Sequence, residues 1–500
     1  MPRISLRLAI IILLLASWLT VPRVKHAQTQ AQSPLPVYLI VAPESFADEL
    51  AGFMVSQQTR GFDVQAVWLV QPYPDSDMIK AAIQSQIPLP KYVLLVGDSD
   101  LIPTWTVELA SHQVAQTDLF YTTFDGPEDF VPDTILGRLP VHTESELTAY
   151  LAKLAAFYTI EWYPPWMKKI SFVATNDLAF GDDVEAGFER VIKTYTQPNA
   201  YTGTFIGHEG STVPTVGGDR LFPESYQADT QDVLDALDDK RVALVYNGRA
   251  TSTTFEWRAG PWLSVNDVNN LTNLPVPLVA AFAPNTADFS VGASMADAWI
   301  LNPESGALTY IGATADTVVP QDMLLMEGFF KGLFSNYAVP LSIGEAFQAG
   351  FELVNSGHKK DYFIIYQLFG DPSLTIRFPE GALLTAPFSR FDAPWGGTFT
   401  LPVTIKNVGP TEATFSILIT SNQGYPLNID PDGFTLPLSP GASMVIPVVI
   451  QIVTDLPVMT PDTINITASY TKTPDEIITT KLAITFQVFK TSLFLPIINR

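Results

Sequence analysis

Long apolar runs alternate with amphipathic segments from residue 36 to residue 378 of this 500-residue chain. The apolar runs are continuous, which is typical of strands buried on both faces of a mostly parallel sheet. The segments between them have the spacing of surface helices, and one begins with Thr143 and Glu146 placed as a capping box. Strands that alternate with helices predict a layered α/β fold. The apolar runs are PVYLIVAP, VQAVWLV, KYVLLVGDSD, KKISFVATND, RVALVYNGR, VPLVAAFAPN and ALTYIGAT.

The hydrophobic pattern changes after residue 378. Phe399, Leu401, Val403 and Ile405 occupy alternate positions, and the stretches TINITASY and KLAITFQVF repeat this period of two. Such alternation, with Pro, Gly and Asn in the intervening turns, is typical of a β-sandwich. We therefore predict an all-β domain over residues 385–490, followed by a tail at 491–500 that is either an edge strand or a sorting signal.

Pro164 and Pro165 interrupt the α/β pattern in the stretch EWYPPWMKK. Proline removes a backbone donor and fixes φ, so two in a row do not continue a helix or a central strand. We predict that they separate two α/β subdomains, 36–163 and 166–378.

The first 31 residues have the features of a secretory signal peptide. Arg3 and Arg7 precede an apolar stretch from Leu8 to Leu19, and Thr29 and Ala31 are placed as a small-x-small cleavage site. The alternative is an uncleaved anchor, but the apolar stretch falls short of the ~20 residues that span a bilayer. We expect an exported protein, secreted or held at a cell surface, with no membrane span after cleavage.

The net charge and the cysteine count narrow the possible partners and chemistry. The formal charge is −23, and removal of residues 1–31 would take away four basic residues and no acidic one. Such a chain repels nucleic acid and anionic membranes, so we expect peptide, protein or a surface polymer as partner. Calcium is expected at most as a structural ion, and no cofactor is required. Because the chain contains no cysteine, it has neither disulfides nor a thiol nucleophile.

Polar residues follow several of the predicted strands: Gly97 and Asp98, Asn176 and Asp177, Asn247 and Gly248, and Asn285 and Thr286. Ligands of open α/β sheets bind outside the carboxyl ends of the strands. We therefore expect these four loops to gather along one rim of the sheet and to form the functional surface.

The α/β region resembles the gingipain-type cysteine peptidases over residues 36–378. The resemblance rests on the order and spacing of five stretches: RGFDVQAVWLV, KYVLLVGDSDLIP, TDLFYTTFDG, ILGRLPVHTESEL and FGDPSL. It implies a caspase-like three-layer α/β region of two subdomains, followed by an immunoglobulin-like β-sandwich.

Both catalytic positions that the resemblance implies are replaced. In that family the strand that reads LVYNG here is followed by a catalytic histidine, and the next strand ends in the nucleophilic cysteine. Arg249 occupies the histidine position and Pro284 the cysteine position. Proline offers no nucleophile, and arginine stays protonated, so it cannot shuttle protons near neutral pH.

Two acidic residues remain at positions that the resemblance marks. Asp98 matches an acidic residue near the family's catalytic histidine, and it is either a remnant of that acid or a carboxylate that caps its loop or binds Arg249. Asp118 matches the acidic residue of the specificity pocket in the arginine-specific members. It either lines a persisting pocket for a basic or polar group, or caps a loop or binds Arg249.

Two functions of different kinds remain open. The first is an inactive peptidase homologue that binds a partner or serves as a surface scaffold. The second is an active peptidase or hydrolase with a relocated nucleophile, for which Ser252, Thr286 and Ser290 are candidates and His208 is the candidate base. The loss of both catalytic positions favours the first.

Overall fold

The structure is a computed structural model that describes residues 35–160, 164–208, 212–256, 263–336, 340–376, 379–387, 390–409, 411–453, 461–473 and 476–489. The segments interpreted as a signal peptide (1–31) and as a C-terminal tail (491–500) lie outside these ranges. Within the ranges, no helix is both long and apolar enough to cross a membrane.

The α/β region contains strands and helices in the alternation that the apolar runs predict. Its strands are β1 (Val37–Pro43), β2 (Asp63–Leu69), β3 (Tyr92–Val96), β4 (Trp105–Glu108), β5 (Val114–Thr117), β6 (Ile135–Leu139), β7 (Ile170–Ala174), β8 (Asp219–Leu221), β9 (Ala243–Asn247), β10 (Arg249–Thr251), β11 (Thr254–Glu256), β12 (Leu263–Ser264), β13 (Val276–Phe282), β14 (Ala307–Ala313) and β15 (Tyr366–Gly370). Its helices are α1 (Ala47–Thr59), α2 (Ser76–Gln84), α3 (Glu144–Tyr158), α4 (Gly181–Val191), α5 (Pro223–Tyr226), α6 (Thr230–Asp238), α7 (Val265–Asn269), α8 (Met295–Leu301), α9 (Val319–Leu333), α10 (Ile343–Gly350) and α11 (Ser356–Ile365).

Helices cover both faces of the central sheet. Every residue of β1, β3, β9, β13 and β14 is buried, although successive side chains of a strand point to opposite faces. Helix α3 begins as predicted: the Thr143 hydroxyl accepts a hydrogen bond from the backbone of Glu146, and the Glu146 side chain accepts one from the backbone of Thr143. The α/β prediction and its capping box are confirmed.

Ten strands form one sheet in the order β2-β1-β3-β6-β15-β14-β13-β9-β7-β8. Neighbours are parallel except at one place, because β15 is parallel to β6 but antiparallel to β14. The strands from β2 to β15 in this order therefore run opposite to those from β14 to β8.

This reversal makes the prediction of a single rim wrong. Asp98 follows β3, whose carboxyl end lies at one edge of the sheet. At the other edge, Asp177 and Asn285 follow β7 and β13, and Asn247 is the last residue of β9. Continuous apolar runs are the same in either strand direction, so they gave no sign of the reversal.

The C-terminal region is a sandwich of two sheets. Its strands are β16 (Ala382–Thr385), β17 (Arg390–Pro394), β18 (Thr398–Asn407), β19 (Ala413–Ser421), β20 (Phe434–Leu438), β21 (Ser443–Gln451), β22 (Pro461–Thr473) and β23 (Glu476–Phe489). One sheet has the order β16-β18-β21 and the other β17-β23-β22-β19-β20. Inward residues of both sheets, such as Leu401 and Phe415, form a core of their own. Lys406 joins this region to the α/β region by donating to the Pro198 carbonyl (3.0 Å) and to Asn199 Oδ1 (3.2 Å).

Asp371, in the stretch FGDPSL after β15, is a buried hub of the α/β region. Its carboxylate accepts hydrogen bonds from five side chains on four different segments: Tyr38 (2.8 Å), Gln57 (2.7 Å), Arg60 (3.4 Å), Tyr158 (2.6 Å) and Ser373 (2.8 Å). Burial and the nearby carboxylate hold the pKa of Tyr38 and of Tyr158 well above the usual range, so both hydroxyls remain donors. The hub fastens the chain after β15 to β1, α1 and α3.

Candidate functional site

The turn after β9 carries Arg249 to the surface. A Cβ at Gly248 would lie 2.4 Å from Cβ of Thr175, so only glycine fits where the chain leaves the sheet. Arg249 begins β10, and its side chain is 69% exposed. Its Nε donates a hydrogen bond to Oδ2 of Asp177, in the loop after the neighbouring strand β7. Arg249 therefore binds Asp177, and the alternative that it binds Asp98 or Asp118 is wrong.

Asp177 stays ionised in this pair. Burial opposes its charge, but hydrogen bonds from the backbone N–H of Ala179 (2.8 Å) and from Arg249 outweigh burial, so the pKa of Asp177 lies below its usual range. The sequence marked Asp177 only as a residue at the end of a strand. Its pairing with Arg249 could have been predicted only if β7 and β9 had been recognised as neighbours, because the loops after neighbouring parallel strands lie side by side.

We expect replacement of Arg249 by alanine to change stability little. The arginine is mostly exposed, and Asp177 keeps its hydrogen bond from Ala179, so the free energy of unfolding should fall by less than about 1 kcal/mol. Urea unfolding of both proteins measures this difference. A loss of several kcal/mol would mean that the arginine has a structural role that its exposure does not indicate.

The turn after β13 lies beside the Arg249 turn. Strands β9 and β13 pair so that Phe282 lies opposite Asn247, and Pro284 and Arg249 each come two residues later. Asn285 has φ +59°, and its N–H donates to the carbonyl of Ala315 after β14 (3.0 Å). The register thus brings together the two positions that the sequence marked as replaced catalytic residues.

The candidate relocated nucleophiles have carboxylates or the core as neighbours. Thr286 is fully buried, so a substrate carbonyl does not reach its hydroxyl. The backbone N–H of Ser290 donates to Asp288 Oδ1 (2.8 Å), and the Ser252 hydroxyl lies 3.4 Å from the other oxygen of that carboxylate. The candidate base, His208, has its Nε2 2.9 Å from Asp232 at the start of α6.

Asp98 lies with Asp100 and His142 at the opposite edge of the sheet. The two ring nitrogens of His142 are 3.5 Å from Asp98 and 3.4 Å from Asp100. Burial raises the pKa of Asp98, although hydrogen bonding and nearby positive charge oppose the rise.

Two groups of side chains in the described ranges have the spacing of metal ligands: Asp98, Asp100 and His142, and His208, Asp229 and Asp232. Each group contains an imidazole, which suits transition metals better than calcium. A structural calcium ion therefore stays a prediction without an assigned site.

Asp118 is buried and paired with Arg138. Its two oxygens accept hydrogen bonds from Nε (2.6 Å) and Nη2 (2.7 Å) of Arg138, which also donates to the Gly97 carbonyl (2.6 Å). The guanidinium lies 5.4 Å from the ring centre of Phe289, in the loop after Pro284. Burial disfavours the arginine's charge, but Asp118 outweighs it and raises the pKa of Arg138. The carboxylate thus serves an internal ion pair, and Asp118 also lines a small cavity together with Thr122, Gln348 and Gln367, so its role as a pocket residue stays a prediction.

A cleft of about 440 Å³ lies between the β4–β5 hairpin and the turns after β13 and β14. We call it the hairpin cleft; Gln113 and Gln116 belong to its hairpin wall, and Asn285, Asp288, Thr314 and Asp316 to its rim wall. The Asp316 carboxylate joins the walls by accepting from Gln113 Nε2 (2.8 Å) and Asn285 Nδ2 (2.7 Å). The sequence did not predict this cleft, because its two walls are far apart in the chain and only the folded structure brings them together.

The chain matches known proteins in sequence profile and in structure. The profile described as Peptidase family C25 matches residues 31–377. No curated protein matches the chain.

Solved structures that share its fold include the following three. "Structure of Protease" is 16% identical, with a TM-score of 0.58 over 91% of this chain and 98% of that chain. The crystal structure of the Arg-specific cysteine proteinase gingipain R is 15% identical, with a TM-score of 0.55 over 92% of this chain and 99% of that chain. The complex of Porphyromonas gingivalis RgpB pro- and mature domains is 16% identical, with a TM-score of 0.55 over 90% of this chain and 100% of that chain. These likenesses confirm the predicted fold class, a caspase-like α/β region followed by a β-rich domain.

Proposed function

This chain belongs to peptidase family C25, and from that premise we propose that it is an exported member without peptidase activity that acts by binding a partner. The observation that carries the proposal is the residue at the position of the family's nucleophile. Pro284 stands there, and the sequence contains no cysteine that could replace it. A thiolate is the nucleophile of a cysteine peptidase, so the reaction has no first step.

The arginine at the histidine position supports the same conclusion. Arg249 is mostly exposed, and its Nε donates a hydrogen bond to Asp177. A general base must accept a proton near the working pH, and arginine does not. Among the described candidates, the hydroxyls do not support a triad, since Thr286 is buried and the Ser252 hydroxyl contacts the Asp288 carboxylate rather than an imidazole.

A binding role is consistent with what the chain retains. The described part of the α/β region keeps a continuous ten-stranded sheet, and the turns after β7, β9 and β13 present polar side chains at one edge of that sheet, beside the hairpin cleft. The partner proposed is a peptide, a protein or a surface polymer, because the negative charge of the chain disfavours nucleic acid. Export is inferred from residues 1–31 alone.

The test is a hydrolysis assay with purified full-length protein. We expect no cleavage of casein or of arginyl and lysyl peptide reporters above the buffer rate, with or without calcium. Turnover that is lost in Thr286→Val, Ser290→Ala, Ser252→Ala or His208→Phe would contradict the proposal and identify a relocated site. The exposed variant Ser85→Ala is the matched control, because it should leave any such turnover unchanged.

A further inference from the structure

The two outer strands of the ten-stranded sheet differ in exposure. Strand β8 ends the sheet on one side, and all three of its residues are buried. Strand β2 ends it on the other side; Asp63 is exposed, the next five residues are half-buried, and only Leu69 is buried. Among the described strands, β2 pairs with β1 alone. Strand β2 is therefore an open edge of the sheet.

The outer side of β2 presents a row of backbone hydrogen-bonding groups. The N–H of Asp63 donates to the carbonyl of Pro36, just before β1 (3.0 Å). In a parallel ladder, alternate residues direct their N–H and C=O groups to the same neighbouring strand. Every second residue from Asp63 therefore bonds to β1, and the residues between them direct these groups outward: Val64, Ala66 and Trp68. Such a row is a template for pairing with another strand.

The surface around this row carries no charge. Residues 64–74, which include most of β2, contain no acidic or basic side chain, and neither do residues 50–59 of α1. Met54 of α1 and the outward residues of β2 pack against the same hydrophobic core, and Val55 and Val70 are each 60% exposed. Natural proteins commonly protect an open edge with lysine or an inward-pointing charge, because charged side chains oppose pairing. Strand β2 has no such protection after Asp63.

The absence of charge favours a second copy of this chain as the occupant. The chain has 51 acidic and 28 basic residues, so two copies repel each other wherever their charged surfaces meet. At residues 64–74 this repulsion is smallest. A cationic partner, in contrast, would find no carboxylate along the same stretch.

The sequence of β2 is also complementary to itself. In an antiparallel pair centred on Ala66, the two copies of Ala66 lie opposite each other, and Val64 lies opposite Trp68 of the second copy. Each of these outward pairs would exchange both of its N–H···O=C hydrogen bonds. A pair of a β-branched and an aromatic side chain stabilises antiparallel sheets. On the other face, Gln65 would lie opposite Val67, so no like charges are opposed.

We propose that two copies of this chain pair through β2, antiparallel about Ala66, and that their two sheets thereby become one continuous sheet. The two-fold arrangement is closed, because each copy uses its only open edge strand of this sheet. The inference goes beyond the proposed function and does not depend on it, since β2 is separated in the sheet from β7, β9 and β13.

The first test is sedimentation velocity of the full chain over a concentration series. We expect a monomer–dimer equilibrium that shifts towards the dimer at higher salt, because salt screens the repulsion between acidic copies. Ala66→Pro removes an outward N–H and spares the ladder to β1, so it should weaken association at least tenfold. Ala66→Ser is the matched control: it keeps that N–H and should change association less than about twofold.

The second test is disulfide cross-linking, which stays decisive if the proline variant does not fold. The chain contains no cysteine, so Ala66→Cys carries a single thiol and cross-links only with a second copy. Directly opposite residues that exchange hydrogen bonds have Cα atoms about 5.5 Å apart, within the range of about 4.4–6.8 Å for disulfides. We expect oxidation to convert most of Ala66→Cys to a covalent dimer. Ala179→Cys, at an exposed position after β7, is the control and should form little.

Three results would overturn the inference. The first is a chain that stays monomeric at every concentration. The second is equal association of Ala66→Pro and Ala66→Ser, which would place the contact on another surface. The third is equal cross-linking of Ala66→Cys and Ala179→Cys, which would indicate random collision only.

Discussion

Replacement of Asp371 by alanine should be among the most destabilising single changes in the α/β region. The carboxylate is buried and accepts hydrogen bonds from five side chains, and its removal leaves buried donors on β1 and α1 and a partly buried donor on α3 without this acceptor. Loss of one member of a buried charged network costs about 3–5 kcal/mol. We expect a decrease of that size in the free energy of unfolding, measured by urea denaturation.

The control for this prediction is Asp48→Ala in the first turn of α1. Asp48 is exposed, and a carboxylate in the first turn of a helix contributes about 0.3–1 kcal/mol through the helix dipole. A similar small loss in both variants would show that the donors around Asp371 find other partners, and the hub interpretation would be wrong.

The pair of Asp118 and Arg138 should show strong coupling in a double-mutant cycle. Asp118→Leu leaves a buried guanidinium without its counter-ion, and Arg138→Met leaves a buried carboxylate, so each single change should cost about 3–5 kcal/mol. The double variant replaces both charges by apolar groups of similar size and should recover much of the loss.

The outcome also bears on the role of Asp118. Additive losses in the double variant would mean that the two residues act independently, contrary to the hydrogen bonds between them. That result would favour the interpretation of Asp118 as a pocket residue.

Local sequence patterns were enough to predict the fold class. The candidate site was harder to predict, because it depends on contacts between segments that are distant in the sequence. Continuous apolar runs predicted the strands that are buried on both faces. The alternation around Leu401 and Val403 predicted the sandwich, because strands buried on one face alternate apolar and polar residues. The capping box at Thr143 was equally readable, since both partners lie within one helical turn.

The ion-pair partners of charged residues were harder to predict from the sequence. Arg249 binds Asp177, 72 residues earlier, and not Asp98, because the reversal of strand direction at β15 puts Asp98 at the other edge of the sheet. Arg138 lies within the stretch ILGRLP, where nothing local indicates that its side chain turns towards Asp118. Pairs of this kind depend on strand order, which single-sequence patterns do not specify.

The position of β15 has a consequence for biogenesis. It is the last strand of the α/β region to be synthesised, yet it lies in the middle of the sheet, between β6 and β14. The two groups of strands on either side cannot join until residue 370 has emerged, so the sheet closes after most of the chain has already been made. The late closing strand therefore makes the α/β region through residue 370, and no shorter part of it, the unit that acquires a continuous sheet.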